Sequence, residues 1–560
     1  MPMVLKPRKP STEDIEKKLM EALKESEEEK PILARLSYPE NMSRLELLAR
    51  YKTEYKEMAE ISILRDPETE SYYYYVDEPA YSDVVMRLYR IARDHLKEIP
   101  VMSRGVIREE IIEDSVAKSL EAYGLSEDYY RYPELAYYMV RDMGYWLLDV
   151  PMRDPHVEEI DYPGSECISI AVRRAGALKD IDIAAEWLGT NICLSEEDVR
   201  RIIEIFASKV GAEVTIAKPI AEFKTPEGHR VAINLSEVGR TNNITIRKHP
   251  KIPLTIADLI RRNTLSPLMA AYLWTLVEDR KLIFIVGGMA SGKTTLLNTL
   301  LSMVPRDIKI TVMEDTPELH IIHDRVQMLH TRRSYQTSEM MNIDLDMLAR
   351  YALRTRAGFI VIGEARDIET RTLVQAASTG HGGATTMHAD DIVTLFNRLV
   401  SPPLSIRESF LLSISAIVFQ ARTWSYRSGG FVRRTKEIYE IIGLKKNSED
   451  LIPTEYRRIF YWDPYSDAFH PGTPEELIEI SEQLKRIAMS KYGYNERIWR
   501  AAMTYELMEK IRVLQELAKR EDISHRGVAD TISKANIEIR KKLTEYFQKQ
   551  IRTTVRRIPM

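Results

Sequence analysis

Only two cysteines, Cys167 and Cys193, occur in 560 residues. That excludes a disulfide-stapled framework and a four-cysteine zinc site. One bridge between them remains possible, but a reducing compartment is the simpler reading. Glutamine is also sparse, and with 29% charged residues this is the composition of a heat-adapted organism. Neither sign of charge dominates: 80 Lys and Arg stand against 84 Asp and Glu, a formal net charge of -4. Such a balance excludes a chain built mainly to coat DNA and leaves only a local basic face open. Long apolar runs are missing too. Leu282–Val286 and Phe410–Phe419 fall far short of the roughly 20 residues that a membrane helix needs, and the N-terminal MPMVLKPRKPSTEDIEKKL lacks the apolar run of a secretory signal. The expectation is a soluble chain, with work at a membrane surface left open. An apolar fraction of 44% excludes a disordered chain, and the length exceeds what one core organises, which predicts three or four structural units.

Residues 1–30 form a charged segment in which Ser11-Thr12-Glu13-Asp14 caps a short helix carrying Ile15, Leu19 and Leu23 on one face. Residues 31–150 read as a mixed α/β accessory domain rich in tyrosine. Its runs Tyr72–Tyr75 and Tyr129-Tyr130-Arg131-Tyr132 read as strands, with a base-stacking platform as the sharper alternative. In residues 151–250 the apolar runs Cys167–Val172, Val214–Lys218, Val231–Asn234 and Ile244–Arg247 alternate with helix-like stretches near 180–188 and 196–209. That pattern predicts a compact α+β domain with an antiparallel sheet. Residues 251–470 alternate strands and helices. Leu282–Val286, Ile308–Met313 and Phe359–Ile362 are short and apolar, as strands of a parallel sheet covered on both faces must be, and Ser266-Pro267 marks a helix start. Residues 471–560 read as a helical extension, with Leu507, Ile511, Leu514 and Ala518 at helical spacing. Its end, Lys534 to Met560, carries eight Lys or Arg against two Glu. This is a solvated face, or one that meets acidic lipid or nucleic acid.

Gly287-Gly288-Met289-Ala290-Ser291-Gly292-Lys293-Thr294 satisfies G-x-x-x-x-G-K-[ST] in full, after a strand and before a helix at Thr295–Met303. Glycines let consecutive N–H groups face one anion, and the helix N-terminus adds its partial positive charge. Gly287, Gly288, Ser291, Gly292, Lys293, Thr294 and Thr295 are the expected nucleotide-binding residues. Lys293 would reach the β- and γ-phosphates, and Thr294 would hold Mg²⁺. No guanine-reading tetrad follows, which favours ATP. Carboxylates for Mg²⁺ and for the attacking water belong at the C-terminal ends of neighbouring parallel strands; Glu314-Asp315 and Glu364 stand there. His381 and His388 lie in the glycine-rich run Ser378–Asp390, where a γ-phosphate or a neighbouring strand suits them better than zinc, since no third ligand is in view.

Four boxes in this order resemble the motor ATPases of type II/type IV secretion, type IV pilus and archaellum assembly: GGMASGKTT (287–295), VMEDTPELH (312–320), RTRAGFIVIGEARDIET (354–370) and ASTGHGGATTMHADD (377–391). The similarity starts near Asp154–Ile160, passes through Thr241–Arg247 and runs to Trp462-Asp463-Pro464. Ala357-Gly358 replaces the Pro-Asp that many relatives carry. The four-cysteine module of the bacterial secretion members is absent, and GGxASGKTT with TIRK (245–248) looks like the archaeal branch.

The resemblance implies an α/β fold. A RecA-like P-loop ATPase domain is preceded by a PAS-like α+β N-terminal domain, with nucleotide between them and six subunits in a ring. It implies Glu364 as the Walker B glutamate acting on Mg²⁺ and its water, and Glu314 as a carboxylate that orients or deprotonates the nucleophile. Arg240 and Arg247 would be the arginines that reach phosphate. The implied cofactors are ATP and Mg²⁺, and the implied location is the cytoplasmic face of the cell membrane. There the ring would drive a polytopic platform protein and, through it, pilin or archaellin subunits. A ring ATPase for DNA transfer and a weakly hydrolysing nucleotide-binding scaffold are the alternatives.

Overall fold

The computed structural model describes residues 44–555 apart from 97–108, 126–130, 249–253, 333–341, 445–453 and single residues or pairs elsewhere. The helix expected near Ser11 and the pair Tyr129-Tyr130 lie outside the described residues. The chain divides into two units, Met1–Lys251 and Ile252–Met560.

In the first unit nine strands form one sheet: β1 Glu46–Lys52, β2 Glu60–Asp66, β3 Ser71–Asp77, β4 Val157–Tyr162, β5 Cys167–Val172, β6 Leu188–Cys193, β7 Ile220–Lys224, β8 Arg230–Asn234 and β9 Asn243–Arg247. Their spatial order is β1-β2-β3-β6-β5-β4-β9-β8-β7. Every pairing is antiparallel except β3 with β6, where Tyr73 lies opposite Gly189. A Cβ at Gly189 would come 3.1 Å from the Tyr73 ring, so glycine lets the two halves of the sheet meet. The stretches 31–150 and 151–250, expected as separate domains, therefore share one sheet. They also share one core, which joins Tyr74, Trp146, Ile170, Phe206 and Ile246.

The tyrosine run is core material. Tyr72, Tyr74 and Tyr75 are buried, and Tyr51 and Tyr74 each donate from OH to Asp154 Oδ2 at 2.8 Å, so Tyr72–Tyr75 offers no platform to a base. The helix Glu196–Val210 forms as expected because Ser195 and Asp198 close a capping box and Gly211 ends it at φ +66°. Two other expectations fail. Val214–Lys218 is a turn closed by an isolated bridge from Thr215 to Lys218. The described residues near 180–187 are not helical, and Leu188 opens β6. The cysteines form a disulfide, Cys167–Cys193, instead of two thiols. They occupy directly opposite positions on β5 and β6, a juxtaposition that sheet register creates and linear spacing does not announce.

The second unit holds β10 Leu282–Val286, β11 Ile310–Glu314, β12 Val326–His330, β13 Phe359–Ile362, β14 Gly382–Met387, β15 Ile414–Ser425, β16 Gly430–Leu444, β17 Thr454–Asp463 and β18 Ala468–His470. The order is β12-β11-β13-β14-β10-β15-β16-β17-β18. The first six run parallel and the last three add on antiparallel. Five consecutive buried residues in β10 reflect helices on both faces. One core contains Leu296, Leu297 and Leu300, and the other contains Leu348, Leu373 and Leu395.

The tail is helical, as expected, yet it is no separate extension. Trp499, Leu507, Leu514, Val528 and Ile532 belong to the first of those cores. Lys510, fully buried, clamps the tail by donating to Glu506 at 2.6 Å, Glu278 at 2.9 Å and Thr275 Oγ1 at 3.0 Å. Among the described residues no helix is long and apolar enough to cross a membrane.

Candidate nucleotide-binding site

Strand β10 delivers the chain into the glycine loop at the carboxyl edge of the parallel sheet, where ligands of open α/β sheets gather. Gly287 has φ +153°, and a Cβ there would lie 2.1 Å from the Gln420 carbonyl oxygen. Gly292 has φ +93° and opens the helix Lys293–Leu301, which carries no side-chain cap. Its first-turn N–H groups are thus directed at the loop's interior without a side-chain acceptor at the cap. Ser291 donates from Oγ to the Gly288 carbonyl at 2.9 Å, bracing the turn. Lys293 folds back over the loop, with Nζ donating to Gly287 O at 2.9 Å and Gly288 O at 2.7 Å. Thr294 and Thr295 are half-buried in the helix's first turn.

Parallel register brings the other groups to the same edge. Val286 pairs with Met387, so His388 stands beside the start of the loop, and its Nδ1 is 3.5 Å from Lys293 Nζ. Ile362 pairs with Thr385, and Glu364 follows after Gly363. Glu364 Oε1 lies 3.3 Å from His388 Nε2, and Oε2 accepts from Arg366 Nη2 at 2.7 Å. Burial pushes the Glu364 carboxyl upward, but Arg366, His388 and Lys293 outweigh that and hold it below the usual carboxylate range. Burial, with the Lys293 ammonium, lowers His388 below an ordinary histidine, so it is neutral at pH 7.

Glu314 occupies a different setting. It ends β11 fully buried, and Oε1 accepts from the backbone N–H of Glu318 at 2.8 Å and Leu319 at 3.0 Å. A Cβ at Gly363 would press to 2.9 Å from Glu314 Cγ, so glycine there makes room for the carboxylate. The loop that Glu314 ties down is held at its far end by Asn298, which accepts from the His320 N–H at 2.9 Å.

Lys293, Glu364 and His388 are thus brought together. His381 is not: it precedes β14, bonded to Thr379 and to the Ala376 carbonyl, one strand length of about 20 Å from His388. Arg240 and Arg247 belong to the first unit, Arg240 exposed in the turn after β8 and Arg247 exposed at the end of β9. Two arginines escaped the sequence reading. Arg366 sits inside a quoted box, two residues after Glu364. Arg433 donates from Nε to the Ala290 carbonyl at 2.9 Å from a strand 143 residues away, and no local pattern marks it.

Residues 194–421 match the family described as Type II/IV secretion system protein. An uncharacterized protein of Methanocaldococcus jannaschii, MJ0900, is 31% identical over 400 residues, covering 71% of this chain and 68% of that protein. A second from the same organism, MJ1287, is 38% identical over 41% of this chain and 81% of its own length. The chain belongs to the type II/IV secretion ATPase family. Another relative is the probable conjugal transfer protein TrbB of Sinorhizobium fredii, 30% identical over 37% of this chain and 62% of that protein.

The residues around the glycine loop fit a magnesium nucleotide. Two loop positions admit only glycine-like backbone, the helix N-terminus is uncapped, and one ammonium and one charged carboxylate face each other beside it. Among the described residues no cluster of three or more His, Cys, Asp or Glu side chains could cage a metal.

Proposed function

We propose that this chain is a Mg²⁺-dependent ATPase of a ring-forming motor that powers assembly of a type IV pilus-like or archaellum-like filament, or secretion, through a polytopic membrane platform at the cytoplasmic face. In this reading the second unit is RecA-like and the first carries the PAS-like domain. The observation that carries the reading is the meeting of Lys293, Glu364 and His388 at the mouth of the glycine loop.

The chemistry follows from that geometry. Backbone N–H groups of 287–293 bind the phosphates, and Lys293 exchanges its two carbonyl partners for β- and γ-phosphate oxygens. Thr294 and Glu364 would hold Mg²⁺, which neutralises charge on the transferring group. Glu364, ionised at neutral pH, accepts a hydrogen bond from water and orients it. His388, neutral, donates to a γ-phosphate oxygen or accepts from that water. Arg366 keeps Glu364 in place. Glu314, engaged with two backbone amides, is a positioning residue that shapes the loop 315–320. Arg240 and Arg247 supply further positive charge for phosphoryl transfer.

Glu364→Gln tests the reading. It should still bind Mg-ATP while hydrolysis falls on the order of 10²–10⁴-fold, and from native membranes it should bring down a polytopic membrane protein with pilin-like subunits. Unchanged hydrolysis would remove Glu364 from the mechanism, and hydrolysis absent from the parent protein would favour the scaffold reading.

The similarity to TrbB supports a second reading, DNA transfer. Deleting 534–560 to test it would also remove buried Ala535, Ile539 and Leu543. Replacing Lys541, Lys549, Arg552, Arg556 and Arg557 with Gln is the cleaner probe. DNA binding that weakens with salt in the parent and loses salt dependence in this variant would establish DNA as cargo.

A further inference from the structure

We propose that Trp424 and Phe431 form the seat of the nucleobase, a purine-stacking subsite that continues the phosphate loop; this rests on the reading that the loop holds a nucleoside triphosphate. Strands β10 and β15 run parallel, with Val286 opposite Phe419, but β10 stops there while β15 continues to Ser425. Residues 420–425 of β15 and their partners on β16 therefore overhang the loop. The Gln420 carbonyl touches Gly287, and Arg433 reaches the Ala290 carbonyl and stacks its stem against Gly292.

The overhang presents a repeating face. Arg422 pairs directly with Arg433, and Trp424 pairs with Phe431. Cross-strand partners share a face, and residues two apart on a strand share it too. The two rings thus lie on the side from which Arg433 meets the loop, one strand repeat of about 7 Å further out. An α-phosphate and a ribose bridge that interval. The rings meet edge to face, with centroids 5.3 Å apart at 88°, and the Arg422 guanidinium sits 5.4 Å from the Phe431 centroid.

Both rings are about two-fifths exposed, Trp424 at 41% and Phe431 at 43%. Trp424 thus offers ring surface to solvent, with the Phe431 ring set perpendicular beside it and the Arg422 guanidinium over Phe431. A flat purine stacks on Trp424 beside Phe431, and the arginine adds positive charge to the aromatic seat. Nothing in the phosphate chemistry uses these three side chains.

The test compares two probes on the full chain, Mg-ATP and magnesium tripolyphosphate, which carries the phosphates without a base. Parent protein should bind ATP more tightly than tripolyphosphate. Trp424→Ala and Phe431→Ala should each weaken ATP about 5- to 100-fold, the alanine effect of losing one base stack, and leave tripolyphosphate affinity unchanged. Trp424→Phe should restore most of the loss. Unchanged tripolyphosphate binding also shows that the variant loop is folded. Equal losses for both probes, no loss for either, or parent protein that binds both equally would overturn the base seat and leave the phosphate loop standing. Parent protein that binds neither probe would overturn both.

Discussion

Gly287 and Gly380 share a residue type and a left-handed backbone, yet their surroundings set opposite consequences. Gly287 has φ +153° with the Gln420 carbonyl 2.1 Å from where a Cβ would stand, and that strand backbone cannot yield. Gly287→Ala should abolish detectable Mg-ATP binding in a titration that the parent saturates. Gly380 has φ +94° and open space around it. Gly380→Ala should cost only the intrinsic strain, about 1–2 kcal/mol in thermal unfolding, and leave nucleotide affinity intact. The two carboxylates differ in the same manner. Glu314 is locked by two amides, whereas Glu364 faces charged partners at a half-open edge. Glu314→Gln should therefore lower activity less than Glu364→Gln, because an amide oxygen still accepts from the Glu318 and Leu319 N–H groups.

At the level of elements, the docking of the tail on the helix Pro267–Glu278 rests on a charged cluster out of water. Lys510 is 1% exposed, Glu506 3%, and Arg540 closes the outer side of Glu278 at 2.7 Å. Removing one member leaves the others buried and uncompensated. Lys510→Met should destabilise the second unit by about 3–5 kcal/mol, read as a lowered denaturation midpoint and earlier proteolysis within 525–555. Burial raises the Glu278 carboxyl, but Lys510 first, then Lys491 and Arg540, bring it down to about 2. Since that lies below its ordinary value of 4.5, its contribution is complete above pH 4.5 and lost as pH falls toward 2. Asp149 has the opposite sign: burial outweighs Arg153 and raises it to about 6, so its ionisation weakens the first unit as pH rises from about 4 to 6. Acid titration should accordingly keep the tail docked well below pH 4 in the parent, and Lys510→Met should shift its release to higher pH.

On the scale of the whole molecule, each unit has its own sheet and its own core. A fragment 252–560 should fold and bind Mg-ATP, with its helical tail contributing Trp499, Leu507 and Leu514 to the core. Without Arg240 and Arg247 it should hydrolyse more slowly than the full chain, measured as phosphate release per site. Full activity in the fragment would exclude any catalytic part for those arginines.

Short-range chemistry was legible before any fold was known. The glycine loop, the strands Cys167–Val172, Leu282–Val286 and Phe359–Ile362, the helix near 196–209, the Ser266 cap and the tail helices all depend on neighbours a few residues away, so spacing alone carries them. Where pairing at long range decides, the reading went astray. Gly189 against Tyr73 merged two expected domains into one sheet, and register on β5 and β6 set Cys167 opposite Cys193. His381 and His388, seven residues apart in one glycine-rich run, ended at opposite edges of the sheet because the strand between them is extended. Arg433 came to the phosphate loop only because β15, with its partner β16, outruns β10. Sequence by itself determined the local turns, caps and the phosphate loop, since those energies are local. Which side chains meet across the sheet edge was decided by tertiary register, where a shift of one residue turns a side chain to the other face.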